Sequence, residues 1–190
     1  GASLDKIKQV VDVRDGEIMF GLNMVVHKGK TIFVGDTSVH EYPTSEQLAE
    51  IAVSTARVVR LFGFDPKVAF VSHSTFGQPL TSRTKHIRNA VDMLKKQNVD
   101  FEFDGDMQPD VALNPEYKEL YPFSNIVGKA NILIMPGQHS AAISYKMMKT
   151  FGDTKVIGPL LIGLGLPIEI APLRSSASEL INLASIAAYS

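Results

Sequence analysis

The chain has 190 residues, a net charge of −1 and no cysteine. That length suits one substantial core rather than two domains. The charge excludes a global basic field, so neither a nucleic-acid nor a membrane partner is expected, and the missing thiols exclude disulfides, thiolate nucleophiles and zinc–thiolate centres. Apolar residues make up 45% and charged residues 21%, which is ordinary for a globular protein. No signal peptide or uncharged apolar run of spanning length is evident. The absence of cysteine is compatible with a reducing cytosol, and a cytoplasmic location is expected. The apolar stretch from Val156 to Ile168 is short and is broken by Gly158, Pro159, Gly163, Gly165 and Pro167, so it reads as buried strand and turn.

Along the chain, Glu17–Val26 and Thr31–Gly35 are β-rich runs flanking a hairpin turn at Lys28-Gly29-Lys30. A helix is predicted over Thr44–Phe62, with Leu48, Ile51, Ala52, Thr55, Val59 and Phe62 on its inward face. Thr44 is its N-cap, Gln47 completes a capping box and Gly63 ends it. Val68–Ser72 reads as a strand buried on both faces. The polar loop Ser72–Gly77 follows, then a helix over Arg83–Gln97 with Ile87, Ala90, Val91 and Leu94 inward. A strand at Asp100–Phe103 leads to Asp104-Gly105-Asp106, and Ile132–Met135 is a further buried strand. Pro136–Ser140 is its exit loop, Ala141–Thr150 a helix, the last strands lie within Lys155–Ile170, and Ser176–Ala188 is the final helix. This alternation predicts an α/β fold: a largely parallel sheet with helices on both faces and a ligand crevice at the carboxyl ends of the strands.

Gly29-Lys30-Thr31 is not a phosphate-binding loop, because Met24 stands where its first glycine belongs. His27, His40, His73, His86 and His139 form no paired ligand motif, and no metal site is expected. Ser72-His73-Ser74-Thr75-Phe76-Gly77 leaves a buried strand with three hydroxyls and a glycine. It reads equally as a phosphate cradle and as a polar strand-to-helix connection. Asp104-Gly105-Asp106 offers carboxylates for a divalent cation, but Asp-Gly is more often a turn, and the turn is favoured here.

Several segments together resemble the phosphate acetyl/butyryl transferase (phosphotransacetylase) family. Ser72-x-Ser74-Thr75-x-Gly77 matches its S-x-S-T-x-G loop, and Asp104 through Ala112 is similar to its D-G-E-L/M-Q-x-D-x-A segment. Gly128 through Pro136 looks like its G-x-A-N-V-L-I-F-P strand, and Tyr145-Lys146 and Ile157-Gly158-Pro159 also fit. His40 and His139-Ser140-Ala141 look like the branch appended to the C-terminal end of bacterial NADP-dependent malic enzymes.

The resemblance implies a three-layer, isocitrate dehydrogenase-like lobe. Residues 1–190 would form a single domain fragment, the second lobe plus the returning C-terminal segment. It implies acetyl-CoA or CoA as ligand, with Ser72, Ser74, Thr75, Gly77, Asp104, Gln108 and Arg174 as ligand-binding residues. No cofactor is implied within this domain. NADP and a divalent metal belong to an upstream malic enzyme domain in the same polypeptide, which oxidatively decarboxylates malate to pyruvate. This domain would sense acetyl-CoA and form a homo-oligomer, a dimer through itself.

Active members of the family carry L-S-R-G followed by an Asp that serves as base toward the CoA thiol. In a gapless match Pro172 falls at the Ser, Leu173 at the Arg and Glu179 at the Asp. Leucine lacks the guanidinium's donors, and proline has neither hydroxyl nor N–H. Glu179 is thus expected to be a vestigial catalytic residue that caps its helix from Ser176. The alternative is a working phosphate acetyltransferase that converts acetyl-CoA and phosphate to acetyl phosphate and CoA with Glu179 as base.

Overall fold

The first hairpin turns on two residues with positive φ, Lys28 at 48° and Gly29 at 75°. That is the backbone a two-residue type I′ turn needs between right-twisted strands. It joins β1 (Phe20–His27) to β2 (Lys30–Gly35), with His27 opposite Lys30. The β1 run starts later than Glu17 because residues 14–17 close a turn in which the Glu17 N–H donates to the Arg14 carbonyl at 3.0 Å. The computed structural model describes residues 6–7, 9–36, 38–166, 168–169, 171, 175 and 177–187, without the side chains of 118, 169, 179, 182, 183, 186 and 187.

Helix α1 (Ser45–Leu61) starts at the predicted cap: Thr44 accepts from the Gln47 N–H while the Gln47 side chain accepts from the Thr44 N–H. Glu46 in the same turn is held below the usual carboxylate range by its own backbone N–H and then by the Thr44 hydroxyl. Replacing Thr44 with Ala is expected to cost about 1 kcal/mol, read as a lower urea midpoint. Strand β3 (Lys67–Val71) precedes α2 (Ser82–Gln97). The cap of α2, Thr81, forms a second capping box with Thr84, which escaped the sequence reading because Thr stands where Glu or Gln is usual.

Then come β4 (Glu102–Met107), a short helix α3 (Pro109–Leu113), a 3₁₀ turn over Pro115–Glu119, and β5 (Ile132–Ile134). Helix α4 spans Gln138–Thr150, taking in three residues expected in the exit loop. The chain closes with β6 (Thr154–Ile162), β7 (Ile168–Glu169) and α5 (Ala177–Ala187). Pro172, Leu173, Arg174 and Ser176, with the Glu179 side chain, lie outside the described residues.

Among the described residues the seven strands form one sheet in the order β4-β3-β5-β2-β1-β6-β7. The β4-β3, β3-β5 and β5-β2 pairs are parallel, and β1 is antiparallel to both β2 and β6, so β2 to β6 all run one way, against β1 and β7. The sheet is therefore mixed and largely parallel, as expected.

Period-two alternation sorts the strands onto two faces. Phe33, Val68, Phe70, Ile132 and Ile134 turn to the face covered by α1 and α2. Val34, Ala69, Val71 and Leu133 turn to the other, with Ala112 of α3 and Ala141 of α4. Helices thus cover both faces, giving three layers. Ile87, Ala90, Val91 and Leu94 are buried on α2 as their spacing predicts. Among the described residues no helix is long and apolar enough to cross a membrane.

Candidate functional site

Strands β3 and β5 are neighbours, yet the chain leaves their carboxyl ends toward opposite faces, to α2 and to α4. Such a divergence opens a crevice above the sheet. Its rim is built from the exits of β2, β3, β4 and β5.

The β3 exit is a tight turn. Phe76 and Gly77 take φ of 50° and 79°, and Thr75 and Gln78 exchange backbone hydrogen bonds at 3.1 and 3.4 Å. Ser72 and Thr75 are nearly buried and Ser74 is fully so, while His73 is exposed. The donors of this loop turn inward. The Phe76 N–H donates to the Asp106 carbonyl at 2.6 Å and the Gly77 N–H to the Asp106 carboxylate at 3.0 Å, and the Ser74 hydroxyl donates to the same carboxylate. Gln108 closes the arrangement: its N–H donates to the Thr75 hydroxyl at 3.2 Å and its side-chain amide to the His73 carbonyl at 2.8 Å.

Asp106 reaches the loop because of an irregularity in β4. Phe70 pairs with Gly105 and Val71 with Met107, so Asp106 is the residue the register skips. A bulge of this kind re-aims a side chain. Asp104 and Asp106 would share a face in a regular strand, but here they part. Asp104 accepts from the Gly105 N–H at 2.9 Å and the Asn125 N–H at 2.7 Å.

The expected turn at Asp104-Gly105-Asp106 is corrected: all three residues lie inside β4. Glycine is required at 105 by close approach, since a Cβ there would stand 2.7 Å from the Phe70 Cβ and 2.8 Å from its carbonyl oxygen. Local turn chemistry carried the expectation, and a contact with a distant strand overrides it.

Of the expected ligand residues, Ser72, Ser74, Thr75, Gly77 and Gln108 come together at this rim; Asp104 faces the Asn125 segment, and Arg174 lies outside the described residues. Asp106 enters as their common anchor. In the sequence it stands only as a member of the Asp104-Gly105-Asp106 run, which does not announce a partner 32 residues away.

The β2 exit holds a second unanticipated group. Asp36 is 2% exposed and accepts from the Gly21, Ser38, Val39 and His40 N–H groups. The His40 ring meets the same carboxylate through Nδ1 at 2.6 Å. This loop is fastened to the start of α4, where Gln138 donates to the His40 and Ser38 carbonyls. At the rim His139 lies 3.5 Å from Glu41, both exposed. On α4, burial pushes the Tyr145 phenol above its usual value. Among the described residues no three His, Asp or Glu side chains converge as a metal site.

A family model described as phosphate acetyl/butaryl transferase matches residues 2–188. The chain is 44% identical over 187 residues to an NADP-dependent malic enzyme of Rhizobium meliloti, covering 98% of this chain and 25% of that protein. It is 36% identical over 157 residues to a phosphate acetyltransferase of Clostridium acetobutylicum, covering 82% of this chain and 47% of the other. A solved phosphotransacetylase from Streptococcus pyogenes matches with a TM-score of 0.91 at 31% identity, over 98% of this chain and 58% of that one. The chain spans about a quarter of the length of the malic enzymes it matches. In sequence and in fold, this chain belongs to the phosphate acetyl/butaryl transferase family.

Proposed function

We propose that this chain is the C-terminal phosphotransacetylase-like domain of an NADP-dependent malic enzyme, that it has lost transferase chemistry, and that it binds acetyl-CoA or CoA and joins copies of its parent into a homo-oligomer. In this reading the parent oxidatively decarboxylates malate to pyruvate in an upstream domain that holds NADP and a divalent metal. In the same reading the 190 residues are the second lobe and returning C-terminal segment of the transferase fold.

One observation carries the proposal: a kept framework beside replaced chemistry. The family's β3 loop and β4 segment are in place, while Pro172 and Leu173 occupy the Ser and Arg positions. Neither can donate a side-chain hydrogen bond to a phosphate or a reacting thioester. The loop's inward-turned donors agree with this. Ser74 is 0% exposed and committed to Asp106, so it supports the rim rather than meeting a ligand. Ser72, Thr75, Gln108 and Arg174 are the proposed contacts, with Ser74, Gly77 and Asp104 holding the loops around them. The 44% identity to a malic enzyme supports the choice of parent.

The test uses the complete polypeptide. Its rate of malate decarboxylation is expected to change on addition of acetyl-CoA, with no acetyl phosphate formed from acetyl-CoA and phosphate. Deletion of this chain should remove the response; a response that survives deletion would exclude the sensing role. A second reading, an active phosphate acetyltransferase, is favoured by the carboxylate kept at Glu179. It predicts acetyl phosphate formation that Glu179→Gln abolishes.

A further inference from the structure

The Asp36–His40 pair is not absorbed by the reading above. An ionised carboxylate only accepts hydrogen bonds, so the contact at 2.6 Å fixes the proton of the ring on Nδ1. Among the described residues nothing is bonded to Nε2, and the ring is 16% exposed beside a carboxylate that is 2% exposed. An imidazole locked at one nitrogen by a buried carboxylate, and left open at the other, is oriented as proteins orient a histidine toward a ligand. Gln138, donating its N–H to the His40 carbonyl and its side-chain amide to the Ser38 carbonyl, holds it on the rim where β2 and β5 end, the same rim that carries the β3 loop. Asp36 is committed to several backbone amides, so the pair is a poor start for a metal site.

We infer that His40 contacts the ligand, its Nε2 bonding a phosphate oxygen, with Asp36 as its positioning residue. The inference rests on the ligand-binding reading proposed above. A phosphate group suits both states of the ring: the imidazolium donates to an anionic oxygen, and the neutral ring accepts from a protonated one. The phosphate comes either from CoA or from free phosphate. The exposed pair of His139 and Glu41 flanks the site and adds no settled charge of one sign.

Calorimetric titration of the complete polypeptide with acetyl-CoA, CoA and inorganic phosphate, each alone, tests this. His40→Asn keeps a donor toward Asp36 but places nothing at the Nε2 position. It is expected to weaken the probes that the wild type binds by about tenfold to a hundredfold, the scale of one charge-assisted hydrogen bond, with the urea midpoint unchanged. Loss confined to acetyl-CoA and CoA assigns the contact to a CoA phosphate, and loss of inorganic phosphate binding assigns it to the free ion. His40→Gln, whose amide reaches the Nε2 position, should bind better than His40→Asn. A ring that merely staples its loop gives the reverse order in stability and equal affinities. Should His40→Asn lower the midpoint, the affinity order of Gln over Asn still decides. Wild-type affinity in His40→Asn overturns the inference and leaves the ligand-binding reading intact. A wild type that binds none of the three probes overturns both.

Discussion

Gly105→Ala is expected to destabilise the protein by about 3 kcal/mol, the upper end of overpacking costs. The added methyl would stand 2.7 Å from the Phe70 Cβ and 2.8 Å from the Phe70 carbonyl oxygen, with the Phe70 Cα at 3.3 Å. Two of these three are backbone atoms of a central strand, and Phe70 itself is fully buried against α1 and α2. Neither side can retreat without parting β3 from β4. The measurement is a urea titration, with the midpoint falling and the slope unchanged. A glycine in a surface turn would behave differently: where alanine could adopt the backbone, the change stabilises by about 0.4–1 kcal/mol. A gain in place of the loss would return Asp104-Gly105-Asp106 to the turn that its sequence suggests.

The second large effect concerns the residue next to it. Asp106→Ala removes the acceptor for the Ser74 hydroxyl and the Gly77 N–H, both buried. Leaving two buried donors unmade costs about 1–3 kcal/mol each, so a total of about 3 kcal/mol is expected. The Ser74→Ala, Asp106→Ala double variant should recover part of this, because one orphaned donor disappears with its partner. A coupling of about 1–2 kcal/mol in that cycle would mark the two side chains as one unit. Additive losses would mean that the bond adds nothing to the fold. Asp106→Asn keeps one acceptor oxygen and should fall between the wild type and Asp106→Ala.

Both variants probe what local pattern could not display. The Lys28-Gly29 hairpin, the Thr44–Gln47 capping box and the inward face of α2 follow from residues a few positions apart, and they were legible for that reason. The hydroxyls of Ser72, Ser74 and Thr75 were equally visible, but the direction in which they point was not. Ser74 is oriented by Asp106, and Asp36 gathers the Gly21 N–H from a neighbouring strand. Such contacts depend on which strands become neighbours and on a register skip between β3 and β4. Nothing within reach of one loop encodes either. The start of α4 was missed for a simpler reason: its cap, Gly137, makes no side-chain bond to announce the first turn.

The strand order has a consequence for how the molecule comes together. β5 lies between β2 and β3, although the chain makes it after β4. Until Ile132–Ile134 exists, the hairpin of β1 and β2 and the pair of β3 and β4 are separate pieces, each with an unsatisfied edge. The strand that joins the two pieces is thus laid after both, like a keystone, by three residues with hydrogen bonds to both sides. Long-range parallel pairing of this sort closes slowly and leaves apolar edges exposed in the meantime. A chain that stops before Ile132 should therefore aggregate, rather than survive as a smaller version of the fold.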